Sequence, residues 1–222
     1  MQNQLKARKR RGPGRPVKNQ RQGDAALLGA GQTAFSRHGF EGASLRRIAA
    51  SAGVDPALAA HHFGSKEALW RAVIERMSES LVILVPELQE LQKERQISIR
   101  VRLEKALRQL VSATCEEPEL GMFISRIGTE RGEKLDFLVE QLLRPYHDAF
   151  QPLLVEAMKA KVIARQPVEV LYFMLLSAVA MTVSYRHILE YFGERREDDI
   201  DQLKVTMTRC VLATFFGTAP RT

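Results

Sequence analysis

Cysteine is scarce in this sequence, and long apolar runs are missing from it. The two cysteines, Cys115 and Cys210, stand far apart and outside any CxxC or Cys/His cluster, so neither a metal site nor a disulfide framework is predicted, and both thiols are expected to be buried. No window reaches the ~18 to 20 uninterrupted apolar residues of a membrane helix. No apolar segment of the kind found in secretory signals follows the charged N-terminus. We therefore expect a cytoplasmic protein with no cofactor and no membrane partner.

Catalytic motifs are missing as well. The sequence contains no Gly-rich phosphate loop followed by Lys and Ser/Thr, no GxSxG and no HExxH. No pair of carboxylates stands beside a histidine at helical spacing. We therefore predict that the protein is not an enzyme. A hydrophobic content of 45% in 222 residues is sufficient for a globular protein with a sizeable core.

Acidic residues are missing from the first 22 positions, which carry eight cations. The net charge of the whole chain is +7, so the positive charge is concentrated in this segment. Gly12, Pro13, Gly14 and Pro16 interrupt the cations, and such a segment cannot bury apolar surface. We predict that residues 1–22 form a disordered basic arm.

One tripeptide of the arm indicates more than bulk charge. Gly14-Arg15-Pro16 resembles the core of the AT-hook, in which an extended Gly-Arg-Pro lies in a narrow A·T-rich minor groove. Arg15 is therefore a candidate DNA-binding residue. A nonspecific basic tail is the alternative that stays open.

Residues 44–70 have the pattern of two short helices and a longer one. Ser44 is a suitable N-cap before apolar residues at helical spacing, and Gly53 can end that helix in the left-handed conformation. Asp55 and Pro56 then form a second start signal, an N-cap followed by a residue tolerated at the first helical position. Two helices joined by such a turn are typical of a helix-turn-helix, although helical bundles contain the same hairpin.

A longer pattern over residues 34–69 favours the helix-turn-helix over a hairpin of a helical bundle. The spacing AFxxxGFxxxSLxxIAxxAGVxxxxxxxHFxSKExL resembles the DNA-binding domain of the TetR family of bacterial transcriptional regulators, over roughly residues 24–77. The resemblance implies an all-α fold with an N-terminal three-helix helix-turn-helix domain, here 23–77, and a C-terminal helical domain for ligand binding and dimerisation, here 78–222. It also implies a homodimer formed by the last two helices, a palindromic double-stranded DNA operator and a small-molecule effector.

The residues free to contact DNA in this domain are few. The resemblance implies that Ser44 and Lys66 meet phosphates. Ala59 and Ala60 stand where the family usually has an aliphatic residue and then an aromatic one, so His61 is the only obvious polar base reader, and a purely structural role for it stays open. Besides Arg15, the predicted DNA-binding residues are Ser44, Arg46, Arg47, Ala57, Leu58, Ala60, His61 and Lys66.

The remaining sequence is helical by its apolar periodicity, over 98–116, 119–128, 133–143, 146–162, 167–192 and 198–216, with a break at Pro145. Its aromatic and flexible apolar residues, with a few polar ones, predict a pocket for an apolar or amphipathic effector, although each of them also suits a core. The predicted ligand-binding residues are Phe123, Arg126, Ile127, Tyr146, His147, Phe150, Phe173, Ser177, Met181 and Tyr185.

Taken together, these patterns predict a dimeric, ligand-responsive repressor. An architectural protein that binds A·T-rich DNA through the arm, and a protein partner through the helical domain, is the alternative. An oxidation switch at Cys115 or Cys210 also stays open, because it depends on a thiolate that the sequence does not reveal.

Overall fold

The computed structural model of the protein describes residues 17–129, 131–189, 191–193 and 199–217. This part contains twelve α-helices, one π-helical turn and no strand, which confirms the predicted all-α fold. The helices are α1 Val17–Gly42, α2 Leu45–Ser51, α3 Pro56–Phe63, α4 Lys66–Val82, α5 Val85–Lys93, α6 Ile99–Glu116, α7 Leu120–Ile127, α8 Glu133–Leu138, α9 Arg144–Lys159, α10 Val168–Ser184, α11 Arg186–Leu189 and α12 Ile200–Phe216, with the π-helical turn at Val139–Leu143.

Two apolar cores hold these helices together. The first joins α1 to α4 with α7, α8 and the π-helical turn, which contribute Phe123, Ile127 and Leu138 among others. The second joins α5, α6, α9, α10 and α12. Helices α7 and α8, which the sequence assigns to the domain 78–222, therefore pack against the DNA-binding helices. The domain limits 1–22, 23–77 and 78–222 therefore stay predictions. The two cores group the helices differently, because the first core also contains α7 and α8.

The start of α1 differs from the prediction. The helix begins at Val17, so residues 17–22 of the predicted disordered arm are helical. These six residues contain neither glycine nor proline and include good helix formers such as lysine, arginine and glutamine, so the helix extends backwards through them. Residues 1–16, including Arg15, lie outside the described residues.

Two further helix limits are corrected. Pro145 causes no break, because the π-helical turn leads directly into α9 and Pro145 occupies the first turn, where a missing N–H is tolerated. Helix α10 ends at Ser184 rather than near residue 192, and Tyr185 leaves the helical conformation at φ −106°. The Ser184 hydroxyl donates to the carbonyl oxygen of Pro118 at 2.9 Å, which ties this end of α10 to the start of α7.

The expectation of two buried thiols is wrong for one cysteine. Cys115 is buried on α6, whereas Cys210 is exposed on α12. Burial raises the pKa of the Cys115 thiol, which disfavours the thiolate that an oxidation switch requires. Among the described residues no helix is long and apolar enough to cross a membrane.

Candidate nucleic-acid interface

The helix-turn-helix is fixed by short-range hydrogen bonds. The Ser44 hydroxyl accepts from the backbone N–H of Arg47 at 3.2 Å, and an Asp55 carboxylate oxygen accepts from the N–H of Ala57 at 2.7 Å. Between them Gly53 adopts φ +66°, in the left-handed region that glycine enters without strain. The predicted caps of α2 and α3 and the turn between them are therefore confirmed.

Helix α3 presents a small and largely apolar surface to solvent. Ala57, Ala60 and His61 are exposed and Leu58 is 45% exposed, while Ala59 is fully buried against the first core. The four residues predicted to contact DNA thus share the outer face of this helix. Methyl groups dominate that face, so it can contact thymine methyls but offers few hydrogen bonds to base edges.

The basic side chains around α2 and α4 differ in how many contacts they form within the protein. Arg46 is exposed and forms no polar contact with the described residues, while the Arg47 guanidinium donates to the carbonyl oxygen of Gly42. Lys66 is more occupied than the sequence suggests: its Nζ donates to the Phe40 carbonyl oxygen at 2.9 Å and lies 4.2 Å from the Phe40 ring centre. An ammonium group has three donors, so this bond leaves others for a phosphate.

A contact between α1 and α3 brings Asp24 of α1 to the end of α3. His62 Nδ1 lies 2.8 Å from Asp24 Oδ1. The N-terminal part of α1 therefore lies beside the C-terminal end of α3. The predicted minor-groove residue Arg15 precedes this helix in the chain.

Cations from beyond the helix-turn-helix also pack on the end of α1, which sequence reasoning missed. Lys134 of α8 places its Nζ 4.3 Å from the Phe40 ring centre. The Arg126 side chain lies over Gly39, where an added Cβ would approach its Nε to 3.2 Å. No local pattern signals these contacts, because they join residues about 90 positions apart.

The ten predicted ligand-binding residues do not come together in one pocket. Phe123 and Ile127 are buried in the first core, whereas Tyr146 and Phe150 are buried in the second. Phe173 is 59% exposed. Tyr185 lines a separate cleft beside α1. Arg126 is exposed, and Ser177 and Met181 are half-buried on α10. Their binding role stays a prediction that this arrangement does not favour for the set as a whole.

His147 forms a polar link between α9 and α10. Its Nδ1 lies 2.7 Å from Asp148 Oδ1 and its Nε2 lies 2.7 Å from Glu169 Oε2. Burial lowers the pKa of His147, but the hydrogen bonds that its ring donates to both carboxylates, together with their charge, outweigh burial and raise that pKa above the ordinary value. Gln151 donates to the other Glu169 oxygen at 2.9 Å. These hydrogen bonds give His147 a structural role, the linking of α9 to α10, that does not require a ligand.

Comparisons with known proteins agree with the geometry of this interface. Residues 27–73 match the family described as bacterial regulatory proteins, tetR family. Over 47 residues the chain is 53% identical to the HTH-type transcriptional regulatory protein RaaS of Mycobacterium tuberculosis, a match that covers 21% of this chain and 22% of RaaS. The chain thus spans about a fifth of the length of that relative.

Solved structures extend the similarity to the whole fold. HlyIIR, a hemolysin II transcriptional regulator, superposes with a TM-score of 0.64 at 18% identity, over 89% of this chain and 99% of that one. FadR from Bacillus subtilis, in complex with stearoyl-CoA, gives 0.59 at 16% identity, over 88% and 99%. These identities show a shared fold. With the sequence match at residues 27–73, they lead to one conclusion: this chain carries the helix-turn-helix DNA-binding domain of the tetR family of bacterial regulatory proteins, and it shares the overall fold of these solved regulators.

Proposed function

We propose that this protein is a dimeric transcriptional repressor that binds a palindromic operator and leaves it when a small amphipathic effector binds. The observation that carries the proposal is the outer face of α3, where Ala57, Leu58, Ala60 and His61 are presented together by a capped helix-turn-helix. Ser44, Arg46, Arg47 and Lys66 flank that face in the sequence and are suited to phosphate contacts.

The arm supplies what α3 lacks. Because α3 offers few hydrogen-bonding side chains, sequence preference must come in part from elsewhere. The contact between Asp24 and His62 brings the N-terminal part of α1 beside the end of α3, which supports a role for the preceding arm at an adjacent minor groove. We propose that Arg15 enters that groove where the flanking sequence is A·T-rich.

Replacing Arg15 by alanine tests this role of the arm. We expect Arg15→Ala to weaken operator binding by about 1 to 3 kcal/mol, and only on sites with A·T-rich flanks. Arg8→Ala is the matched control, since it removes one arm charge outside the Gly-Arg-Pro tripeptide. Affinities measured by fluorescence anisotropy at one salt concentration decide the matter. Equal losses for both variants on A·T-rich and G·C-rich flanks would identify a nonspecific tail. Removal of such a tail reduces only the slope of log affinity against log salt concentration, by ~0.9 per phosphate contact.

The surface of α10 and α12 supports a dimer. Phe173 and Met174 on α10 are 59% and 64% exposed, and Val205 on α12 is 63% exposed. A groove of about 800 Å³ lies between the two helices and has mostly apolar walls. Exposed apolar side chains on two neighbouring helices, with an apolar groove between those helices, are typical of an interface. We propose that the same two helices of a second copy cover it.

A charge on this face should dissociate the dimer. We expect Phe173→Glu to weaken self-association by on the order of 2 to 4 kcal/mol, because a carboxylate would be buried without a partner. Val101→Glu is the control, since Val101 is also exposed but lies on α6. Sedimentation velocity at micromolar concentration measures the outcome. A wild-type protein that sediments as a monomer, with and without DNA, contradicts the proposed dimer.

The proposed effector is an amphipathic acyl compound that acts within residues 123–185. Two structural neighbours support this class: FadR was solved with stearoyl-CoA, and a Clostridium perfringens protein of the same fold is a putative fatty acid metabolism regulator. A ligand releases DNA only if its affinity differs between the DNA-bound and released conformations.

Release of DNA by such a compound is the test of the regulatory proposal. DNA fragments selected from a random pool should contain a palindrome with half-sites about one helical turn apart, ~10 bp, or a multiple of it. We expect stearoyl-CoA to lower affinity for this DNA, with coenzyme A alone as the control. Binding to all DNA without a preferred palindrome would instead favour an architectural protein. Acyl compounds that stabilise the protein but never change its affinity for DNA would contradict the coupling.

A further inference from the structure

A cleft at the junction of the two cores is lined mostly by residues outside the segment proposed above for the acyl effector. It has a volume of about 630 Å³ and lies between α1, the start of α7 and the end of α10. Arg37 lines it from the DNA-binding side, while Arg186 and His187 line it from the opposite side. The cleft is separate from the apolar surface between α10 and α12.

The charge of this cleft is not balanced within the described residues. Glu119 is the only carboxylate in its lining, and that side chain accepts hydrogen bonds from the Thr33 hydroxyl at 3.1 and 3.2 Å. Across the described ranges no carboxylate lies within ion-pair distance of Arg37, Arg186 or His187. Arginine guanidinium groups have a planar donor geometry that matches carboxylates and phosphates.

Most donors of the two arginines are available. Arg37 is exposed and has no polar contact with a described residue, and Arg186 uses one nitrogen, Nη1, to donate to the carbonyl oxygen of Val183 at 3.2 Å. Helix α7 begins beside the cleft, which Glu119 and Met122 line, and no side chain caps its first turn. The positive end of the helix dipole adds to the attraction for an anion.

The cleft also has an apolar part. Met122 and Tyr185 line it beside the arginines. A volume of about 630 Å³ is within the range of small-molecule sites and exceeds the needs of an inorganic ion. We propose that the cleft binds a small organic anion, whose carboxylate or phosphate is held by Arg37 and Arg186 and whose carbon skeleton lies against Met122 and Tyr185.

The position of the site gives such a ligand a mechanical effect. Arg37 belongs to α1, which leads into the helix-turn-helix, while Arg186 follows α10, which carries the proposed dimer surface. An anion held by both residues would fix the distance between these helices. It would therefore act on the spacing of the DNA-binding domains. Tyr185 is the last residue of the proposed acyl-effector segment, whereas Arg37, Met122 and Arg186 lie outside that segment.

Three aromatic probes of similar shape test the site: phenyl phosphate, benzoate and the neutral benzyl alcohol. Isothermal titration calorimetry on the full chain, without DNA, should detect binding of at least one anion and none of the alcohol. Arg37→Gln and Arg186→Gln should each weaken the binding at least about tenfold, because each removes charged hydrogen bonds. The control is Arg165→Gln, which removes one exposed charge before α10 and should change the affinity less than about twofold.

The outcomes are distinct. Binding of phenyl phosphate alone identifies a phosphate ester, and binding of benzoate alone identifies a carboxylic acid. The proposal is overturned if neither anion binds, if benzyl alcohol binds equally well, or if Arg165→Gln loses as much affinity as Arg37→Gln. Thermal unfolding of each variant checks the fold, and the exposed position of Arg37 keeps one variant informative if Arg186→Gln unfolds. Because no DNA is present, failure here leaves the repressor proposal intact.

Discussion

Replacing Arg102 by methionine will lower the free energy of unfolding by about 2 to 4 kcal/mol, because two carbonyl groups lose their donor at about 1 to 3 kcal/mol each, while Glu156 keeps Arg95 as a partner. Arg102 lies on α6 and is only 2% exposed. Its guanidinium forms a two-pronged ion pair with Glu156 of α9, with Nη1 at 3.1 Å from Oε2 and Nη2 on the other oxygen. It also donates to the carbonyl oxygens of Ile97 at 3.0 Å and Leu91 at 3.2 Å. One side chain therefore joins α5, the following loop, α6 and α9.

An exposed pair on the same helix provides the control. Arg108 and Glu104 form an ion pair four residues apart, and their side chains are 54% and 35% exposed, whereas Arg102 is almost fully buried. We expect Arg108→Met to lower the free energy of unfolding by no more than about 0.5 kcal/mol. Solvent screens exposed ion pairs, and no backbone carbonyl group loses a hydrogen-bond donor in this variant. Urea unfolding followed by circular dichroism compares the two variants. Equal losses would show that burial of Arg102 adds nothing to the pair.

The same ion pair predicts how acid affects stability. The hydrogen bond from Arg102 lowers the pKa of Glu156 below its ordinary value of 4.5, and the neighbouring Arg95 contributes in the same direction. A carboxyl whose pKa is lower in the folded state stabilises the fold above its unfolded pKa, and that contribution is lost as pH falls through the folded pKa. Between pH 5 and pH 3 the Arg102→Met variant should therefore lose less stability than the wild type does.

The second large effect concerns Trp70, the single tryptophan of the chain. Its ring is fully buried on α4, edge-on to Phe40 of α1 with centroids 6.0 Å apart, and tilted against Phe137 of α8 at 5.7 Å. We expect Trp70→Ala to cost about 3 to 5 kcal/mol through lost burial and the cavity that remains. Because the ring lies between α1 and α8, the loss should also loosen the DNA-binding helices from the helices that follow.

Phenylalanine at this position separates packing from polarity. Within the described part of the chain, Trp70 Nε1 is buried without a hydrogen-bond partner, and such a donor costs about 1 to 3 kcal/mol. Trp70→Phe keeps an aromatic ring and removes that donor, so it should cost less than half as much as Trp70→Ala. Thermal unfolding followed by circular dichroism measures both. A loss in Trp70→Phe equal to that in Trp70→Ala would contradict this account.

The DNA-binding helices could be predicted in detail because their signals are local. Ser44, Gly53 and Asp55 each act on backbone groups within three residues, and the structure contains the caps and the turn that they predict. The burial of the predicted ligand-binding residues could not be predicted in the same way. Phe123 and Phe173 look alike in an apolar helical pattern, yet one is fully buried and the other is 59% exposed, because a pattern does not specify which helix packs on which face.

The sequence by itself determined the all-α class, the position of the helix-turn-helix and the concentration of positive charge before it, since caps, turn glycines and composition act over short stretches of chain. Only the tertiary structure decided that α7 and α8 pack on the DNA-binding helices, that Arg102 meets Glu156, and that Trp70 is enclosed between Phe40 and Phe137. Each of these contacts joins residues far apart in the sequence. Their partners are selected by the shape and burial of whole helices, which no local pattern contains.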